Sequence, residues 1–309
     1  MKRKVVQHGP SSLIVSLPSE WVKKNSVQKG DDIEVVEIDN HIEISTKPIL
    51  KEQAVTIDVS GLNRTSMLIY LLSMYRRGYT EINIKFNNKE SHHYRTGKEI
   101  PVTSIVQDVI SRFIGVEIVK QTKDFIQIKQ ISEDSEKDFD MLIRRVLFLV
   151  VDAFKELERG ISEDAEHLEQ TTETHYVTIR KFINYCIRLI HEGAVTETAK
   201  GLSFMTLLSG LDRIIKSLKQ FGRETNNRNI TVSKKVMPLL TEVRESVEMF
   251  QKFYLSRDLK ILDEIEVKRQ RIKKQLFGMK IDTQSVLIFD FFKITVETIQ
   301  DMVECTLRM

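Results

Sequence analysis

Cysteine is nearly absent from this chain. Cys186 and Cys305 are the two in 309 residues, and neither belongs to a C-x-x-C pair. That argues against a disulfide framework and fits a reducing cytosol. Glycine is scarce at 12 residues and forms neither G-x-x-x-x-G-K-[ST] nor G-x-G-x-x-G, so no nucleotide-binding loop is signalled. The longest apolar run, "VLFLVV" at 146–151, is far short of the ~20 residues that span a bilayer. Met1 leads directly into "KRK" and a strand pattern, without the apolar core of a signal peptide. No Ser/His/Asp or Cys/His signature is present, and the chain is read as a non-enzyme. A cytoplasmic protein without membrane insertion is expected. The net charge of +3 gives no general argument for nucleic acid, so the distribution of charge must supply one.

What is present divides into three. Residues 1–47 are β-rich, with strand patterns at 4–7 and 12–17. Pro18 opens a short helix to Lys24, with Ser16 or Ser19 as its cap. A turn at Gly30-Asp31 follows, then a hairpin of 32–38 and 41–45 around Asp39-Asn40. Residues 48–53 read as a linker. Residues 54–131 follow the order β-α-β-α-β-β, a small α/β layer domain. Its helices end at Gly78 and Gly115, and the stretch 90–97 reads as a polar loop. This middle domain is either a ligand sensor or a spacer, with the loops after its strands the natural place for a small molecule.

Residues 133–309 have apolar residues at three- and four-residue spacing, and Pro238 is the one proline. Six helices are expected, at about 136–160, 163–192, 195–222, 231–256, 258–279 and 282–308. Breaks are expected at Gly160, Gly193, 225–229, 256–258 and Gly278. Short connections imply antiparallel neighbours in a bundle, and the similar lengths suggest a duplicated three-helix unit. The expected class is therefore multidomain α+β.

Charge is polarised along the first segment. Up to Gly30 there are six basic residues (Lys2, Arg3, Lys4, Lys23, Lys24, Lys29) and one acid, Glu20. From 31 to 43 there are six acids and no Lys or Arg. A cationic face formed by Lys2, Arg3, Lys4, Lys23 and Lys24 could track phosphates, with Ser11 and Ser12 positioning the chain. About 45 residues without metal or disulfide rarely fold alone, so a second copy is expected to complete the fold.

The stretch "KVVQHGPSSLIVSLPSEWVKKNSVQKGDDIEVVEIDNHIEI" resembles the AbrB/MazE/SpoVT swapped-hairpin family. The likeness rests on Gly9, Ser12, Val15, Leu17, Pro18, Trp21, Lys29, Gly30, Asp31, Ile33 and Val35, and it covers most of residues 2–45. It implies an intertwined homodimeric β-barrel that binds DNA through basic strand and loop residues. "GPSS" departs from the tighter loop of many members. Trp21 is read as a core residue rather than a base-stacking one.

In the helical region, carboxylates at i, i+4 share a face and suit a hard cation when they point inward. The pairs Glu169/Glu173 and Glu297/Asp301 qualify, as ligands or as solvated helix edges. His167 and His175 flank the first pair. His92 and His93, with Arg95 and Lys98, fall in the polar loop and are read as surface. The two three-helix units resemble the PhoU family of phosphate-uptake regulators, which carry E/D-x-x-x-D motifs that hold iron or zinc in some members. Agreement is partial, because Lys216 stands opposite Asp212 and Gln270 opposite Glu266. No cofactor is expected, and Glu169, Glu173, Glu297 and Asp301 are the surviving candidates for a divalent or ferric ion. The combined resemblance implies a homodimeric DNA-binding transcriptional regulator linked to phosphate homeostasis, with a phosphate-signalling protein partner. The alternative is a PhoU-type adaptor whose N-terminal domain only dimerises.

Overall fold

A computed structural model of the chain describes residues 2–38, 41–46, 54–131, 139–163, 167–195, 197–227, 236–279 and 285–309. The chain separates into two compact units, Met1–Lys51 and Glu52–Met309. The expected linker at 48–53 and the turn at Asp39-Asn40 lie outside the described residues.

In the first unit β1 (Val6–His8) and β2 (Ser12–Ile14) form an antiparallel hairpin, with Val6 opposite Ile14 and His8 opposite Ser12. Gly9 takes φ +77 where the chain reverses, a conformation that an L side chain resists. A short helix, α1 (Ser19–Lys24), follows Pro18, whose fixed φ of −62 suits entry to a helix. The expected serine cap is not made, because Pro18 itself is the N-cap and no side chain accepts from the first turn. The Gln28 N–H donates to Asp31 Oδ2 at 2.7 Å and the Asp31 N–H to the Gln28 carbonyl at 3.2 Å, closing the Gly30 turn. Then β3 (Glu34–Ile38) pairs with β4 (His41–Ser45), with Val35 opposite Ile44.

The second unit opens with a sheet of β5 (Ala54–Asp58), β6 (Glu81–Lys85), β9 (Val116–Gln121) and β10 (Phe125–Gln130), in the order β5-β6-β10-β9. The β5–β6 pair is parallel and the others antiparallel. Alternation sends Ile57, Ile82, Ile84, Ile126 and Ile128 to one face, where they are buried. Helices α2 (Arg64–Arg76) and α3 (Val102–Ile110) cover that face with Met67, Leu71, Ile105 and Val109. On the opposite face Gln127 donates to Glu81 at 2.9 Å and to Asn83 at 3.1 Å, so that side is polar. Asn63 caps α2 by accepting from the N–H groups of Thr65 and Ser66, and Gly78 at φ +88 follows its end. The stretch expected as a polar loop holds a hairpin instead, β7 (Glu90–His93) with β8 (Lys98–Pro101). Its buried Ser91 donates to the Leu62 carbonyl at 2.7 Å, and Ile100 opposite it packs against the layer's core, which together tie the hairpin to the layer.

The helices α4 (Phe139–Glu163), α5 (Leu168–His191), α6 (Thr198–Asn227), α7 (Met237–Ser256), α8 (Leu259–Gly278) and α9 (Ser285–Thr306) build a bundle on one continuous core. Neighbours in sequence pack together within each triplet, and the triplets meet through α4 with α7 and α6 with α9. The break expected at Gly160 does not occur. Gly160 lies inside α4, where its bare Cα leaves room for Leu168. Two other glycines allow close approach: Gly222 of α6 faces Thr172 of α5, and Gly210 of α6 faces Met302 of α9. Among the described residues no helix is long and apolar enough to cross a membrane.

The layer is fastened to the bundle along α5. Arg76 at the end of α2 donates twice to Asn184 Oδ1, at 3.1 and 2.6 Å. Arg188 is buried to 1% exposure, donates to the carbonyls of Tyr75 (3.3 Å) and Tyr79 (3.0 Å), and pairs with Glu192 at 2.7 Å.

Candidate nucleic-acid interface

Among its described residues the first unit shows no core of its own. Every residue of it whose exposure is described is exposed or half-buried. Val6 is 55% exposed, Leu13 72%, Val35 58% and Ile42 63%. Hydrophobic strand residues left in water are an unusual feature in a small unit and mark a surface to be covered. Two-stranded hairpins of three and five residues are marginal by themselves. Trp21, expected in a core, is half-buried, and α1 has no buried residue at all.

The cationic residues stand at the edge of this arrangement. Lys2, Arg3 and Lys4 lead into β1, Ser11 and Ser12 occupy the reversal and the start of β2, and Lys23 and Lys24 form the last turn of α1. All seven are exposed. Among the described residues none of the five cations forms an ion pair. The register, with Val6 opposite Ile14 and His8 opposite Ser12, leaves Lys2, Arg3 and Lys4 beyond the open end of this hairpin and Ser11 and Ser12 at its closed end, while Lys23 and Lys24 belong to a separate element, α1. Chemically, exposed ammonium, guanidinium and hydroxyl groups are donors that phosphate oxygens accept from.

The helical carboxylates present a different picture. Glu173 receives Lys219 at 2.8 Å, and Arg223 reaches Glu173 at 3.6 Å and Glu169 at 3.9 Å. Asn226 donates to Glu169 at 2.9 Å. Glu297 pairs with Arg269 at 2.7 Å and with Lys273 at 2.8 Å, and Asp301 lies 3.6 Å from Arg213. Burial would raise the Glu297 carboxyl, but the hydrogen bonds from Lys273 and Arg269 outweigh it and hold the group below the usual carboxylate range. Lys216 lies 2.6 Å from Asp212, and Gln270 donates to Glu266 at 2.6 Å. These residues do not fit a metal ion. A divalent cation would have to displace protein ammonium and guanidinium groups already set against the same oxygens. Among the described residues no group of three or more His, Cys, Asp or Glu gathers as a metal site. His167 is exposed and His175 half-buried. In the β7–β8 hairpin His92 Nδ1 meets Glu99 at 2.8 Å and His93 Nδ1 meets Thr96 at 2.6 Å.

Sequence reasoning missed the residues that fasten α5 to the layer. Arg188 occupies a position on the apolar stripe of α5 beside Ile187 and Cys186. A charge on a stripe was the available signal, since such a group is retained inside only with partners.

With this geometry in place, comparison with known proteins adds one finding. Residues 6–53 match the family model described as antidote-toxin recognition MazE, bacterial antitoxin. The chain therefore carries an AbrB/MazE-type domain at its N-terminal end. No curated protein and no solved structure matches the chain.

Proposed function

We propose that the chain is a DNA-binding transcriptional regulator that acts as a homodimer in the cytoplasm and has no catalytic role. Two copies of the first unit interleave their hairpins into a β-barrel and bury Val6, Leu13, Val35 and Ile42 against each other. Lys2, Arg3, Lys4, Lys23 and Lys24 then contact phosphates, and Ser11 and Ser12 orient the loop on the duplex. The observation that carries this reading is the coincidence, in one AbrB/MazE-type segment, of bare apolar strands and unpaired cations. The first calls for a second copy and the second for a polyanion.

The helical unit transmits a signal to that platform, and a link to phosphate uptake through a PhoU-like protein contact is the finer form of the proposal. The resemblance of the bundle is its support. Selection from fragmented genomic DNA, with and without phosphate, tests both parts. Recurrent enrichment of one sequence supports the regulator, and a change in enrichment with phosphate supports the link. No enrichment under either condition refutes the regulator and fits an adaptor that only dimerises.

A further inference from the structure

The β7–β8 hairpin of the second unit is built more firmly than a surface connection requires. At its base Ser91 and Ile100 face the layer, the Val102 N–H donates to the Lys89 carbonyl at 2.9 Å, and Asn88 donates to the Glu90 carbonyl at 2.6 Å. At its tip the N–H groups of Thr96 and Gly97 both donate to the His93 carbonyl, at 3.0 and 2.9 Å, and Gly97 takes φ +65. His92, held by Glu99, meets the Tyr94 ring edge-on at 4.6 Å. Residues 94–99 are nevertheless exposed throughout.

The tip holds two groups that the rest of the unit leaves unused. Tyr94 is 77% exposed, the highest value among the large hydrophobic side chains described. Beside it, Arg95 has no carboxylate, hydrogen-bond acceptor or aromatic ring as partner among the described residues. Every other arginine described in Glu52–Met309 has at least one of these. Lys98 likewise forms no ion pair among the described residues. The hairpin's own acids do not answer them, since Glu99 is engaged by His92 and Glu90 stands at the end of β7 away from the tip. Burial lowers the basicity of the His93 imidazole, and the charges of Arg64 and Arg95 lower it further. Positive charge is therefore in local excess around a bare aromatic ring.

We propose that the tip of the β7–β8 hairpin is a second contact to duplex DNA. Arg95 and Lys98 take backbone phosphates, and Tyr94 lies against the sugar and base edges between them. A two-stranded ribbon fits the major groove, which is about 12 Å wide. Contacts from cations to phosphate set its position there. The tip is fixed before contact, so little conformational freedom is lost on binding. This inference rests on the reading of the chain as a DNA-binding protein. It adds a contact made by the unit that contains the helical bundle, so that the duplex is held by more than the first unit.

The test is fluorescence anisotropy of the full chain with a random-sequence duplex over a salt series, joined to photocrosslinking. Arg95→Ala with Lys98→Ala removes two phosphate contacts from each of two copies, and its log–log slope is expected to be shallower by about 3–4. Tyr94→Ala is expected to weaken binding about tenfold with an unchanged slope, since no charge is lost. Tyr94→benzoylphenylalanine is expected to crosslink the duplex, and Phe277→benzoylphenylalanine, at a position 67% exposed on α8, is not. These side chains are all exposed, so the melting temperatures are expected to match wild type. A wild-type slope in Arg95→Ala with Lys98→Ala, or no crosslink at position 94, overturns the second contact. If neutralising Lys2, Arg3 and Lys4 still changes the slope, the DNA reading stands without it. A crosslink that poly-L-glutamate suppresses as well as unlabelled duplex does also overturns it, and assigns the tip to an acidic protein. No binding by the wild type even at low salt overturns both readings.

Discussion

Replacing Arg188 with methionine removes the guanidinium through which α5 grips the α/β layer. The group is buried to 1% exposure and its partner Glu192 to 16%. Methionine keeps much of the volume and the apolar contacts, so the loss is electrostatic. It strips a charge from the Glu192 carboxylate and donors from the carbonyls of Tyr75 and Tyr79 and from the side chain of Gln130. Breaking a buried ion pair from one side costs about 3–5 kcal/mol. For a unit of this size that corresponds to a melting temperature lower by roughly 6–20 °C. Urea and thermal unfolding of the full chain, followed by helical circular dichroism, measure it. Arg213→Met is the control, since Arg213 and Asp301 are 63% and 62% exposed, and less than about 1 kcal/mol is expected there. A double change, Arg188→Met with Glu192→Met, recovers part of the loss because no carboxylate is left buried unpaired. An Arg188→Met variant as stable as the Arg213→Met control would refute the argument that this contact fastens layer to bundle.

Three further outcomes follow from the packing and charge. Gly222→Ala is expected to destabilise by about 1–3 kcal/mol, because its Cβ would overlap the buried, hydrogen-bonded Thr172. Gly210→Ala is expected to cost less, since it meets the flexible Met302; unfolding curves that rank the two in reverse would contradict the packing of α6. Glu297→Gln is expected to be less stable than wild type at neutral pH. Because the folded carboxyl titrates below its unfolded value, that advantage is present above roughly pH 4 and fades as pH falls further. A stability difference that stays constant through acid titration would count against the Arg269–Lys273 pairing. Leu13→Glu, at a position 72% exposed within one copy, is expected to halve the sedimenting mass of a wild-type dimer and to weaken DNA binding with it. Equal mass and equal affinity would remove the argument from bare strands.

How much of this was legible in the sequence depends on how local each feature is. The helices from 139 onward announce themselves by apolar spacing, and α4, α8 and α9 fall within three residues of expectation, while α6 runs on to Asn227 through the start of the break expected at 225–229. Gly160 misled, because a glycine inside a helix is tolerated where a neighbour such as Leu168 needs the space. The β7–β8 hairpin was hidden because the inward residue of β7 is a serine satisfied by a distant carbonyl and Ile100 is the one apolar residue β8 sends to the core, so no apolar alternation marks it. The cations facing Glu173 and Glu297 come from neighbouring helices, 24 to 50 residues away in sequence, and only the fold brings them together. The charge polarity of the first unit was fully legible, being a matter of composition. The lack of a core among its described residues was foreshadowed by length alone.

The most direct test of the account is the salt dependence of duplex binding by the full chain. Fluorescence anisotropy with a random-sequence duplex, compared with a variant carrying alanine at Lys2, Arg3 and Lys4, measures it. Three phosphate contacts from each of two copies predict that the variant's log–log slope is shallower by about 5. Parallel slopes for the two proteins, or no binding by the wild type even at low salt, would contradict it.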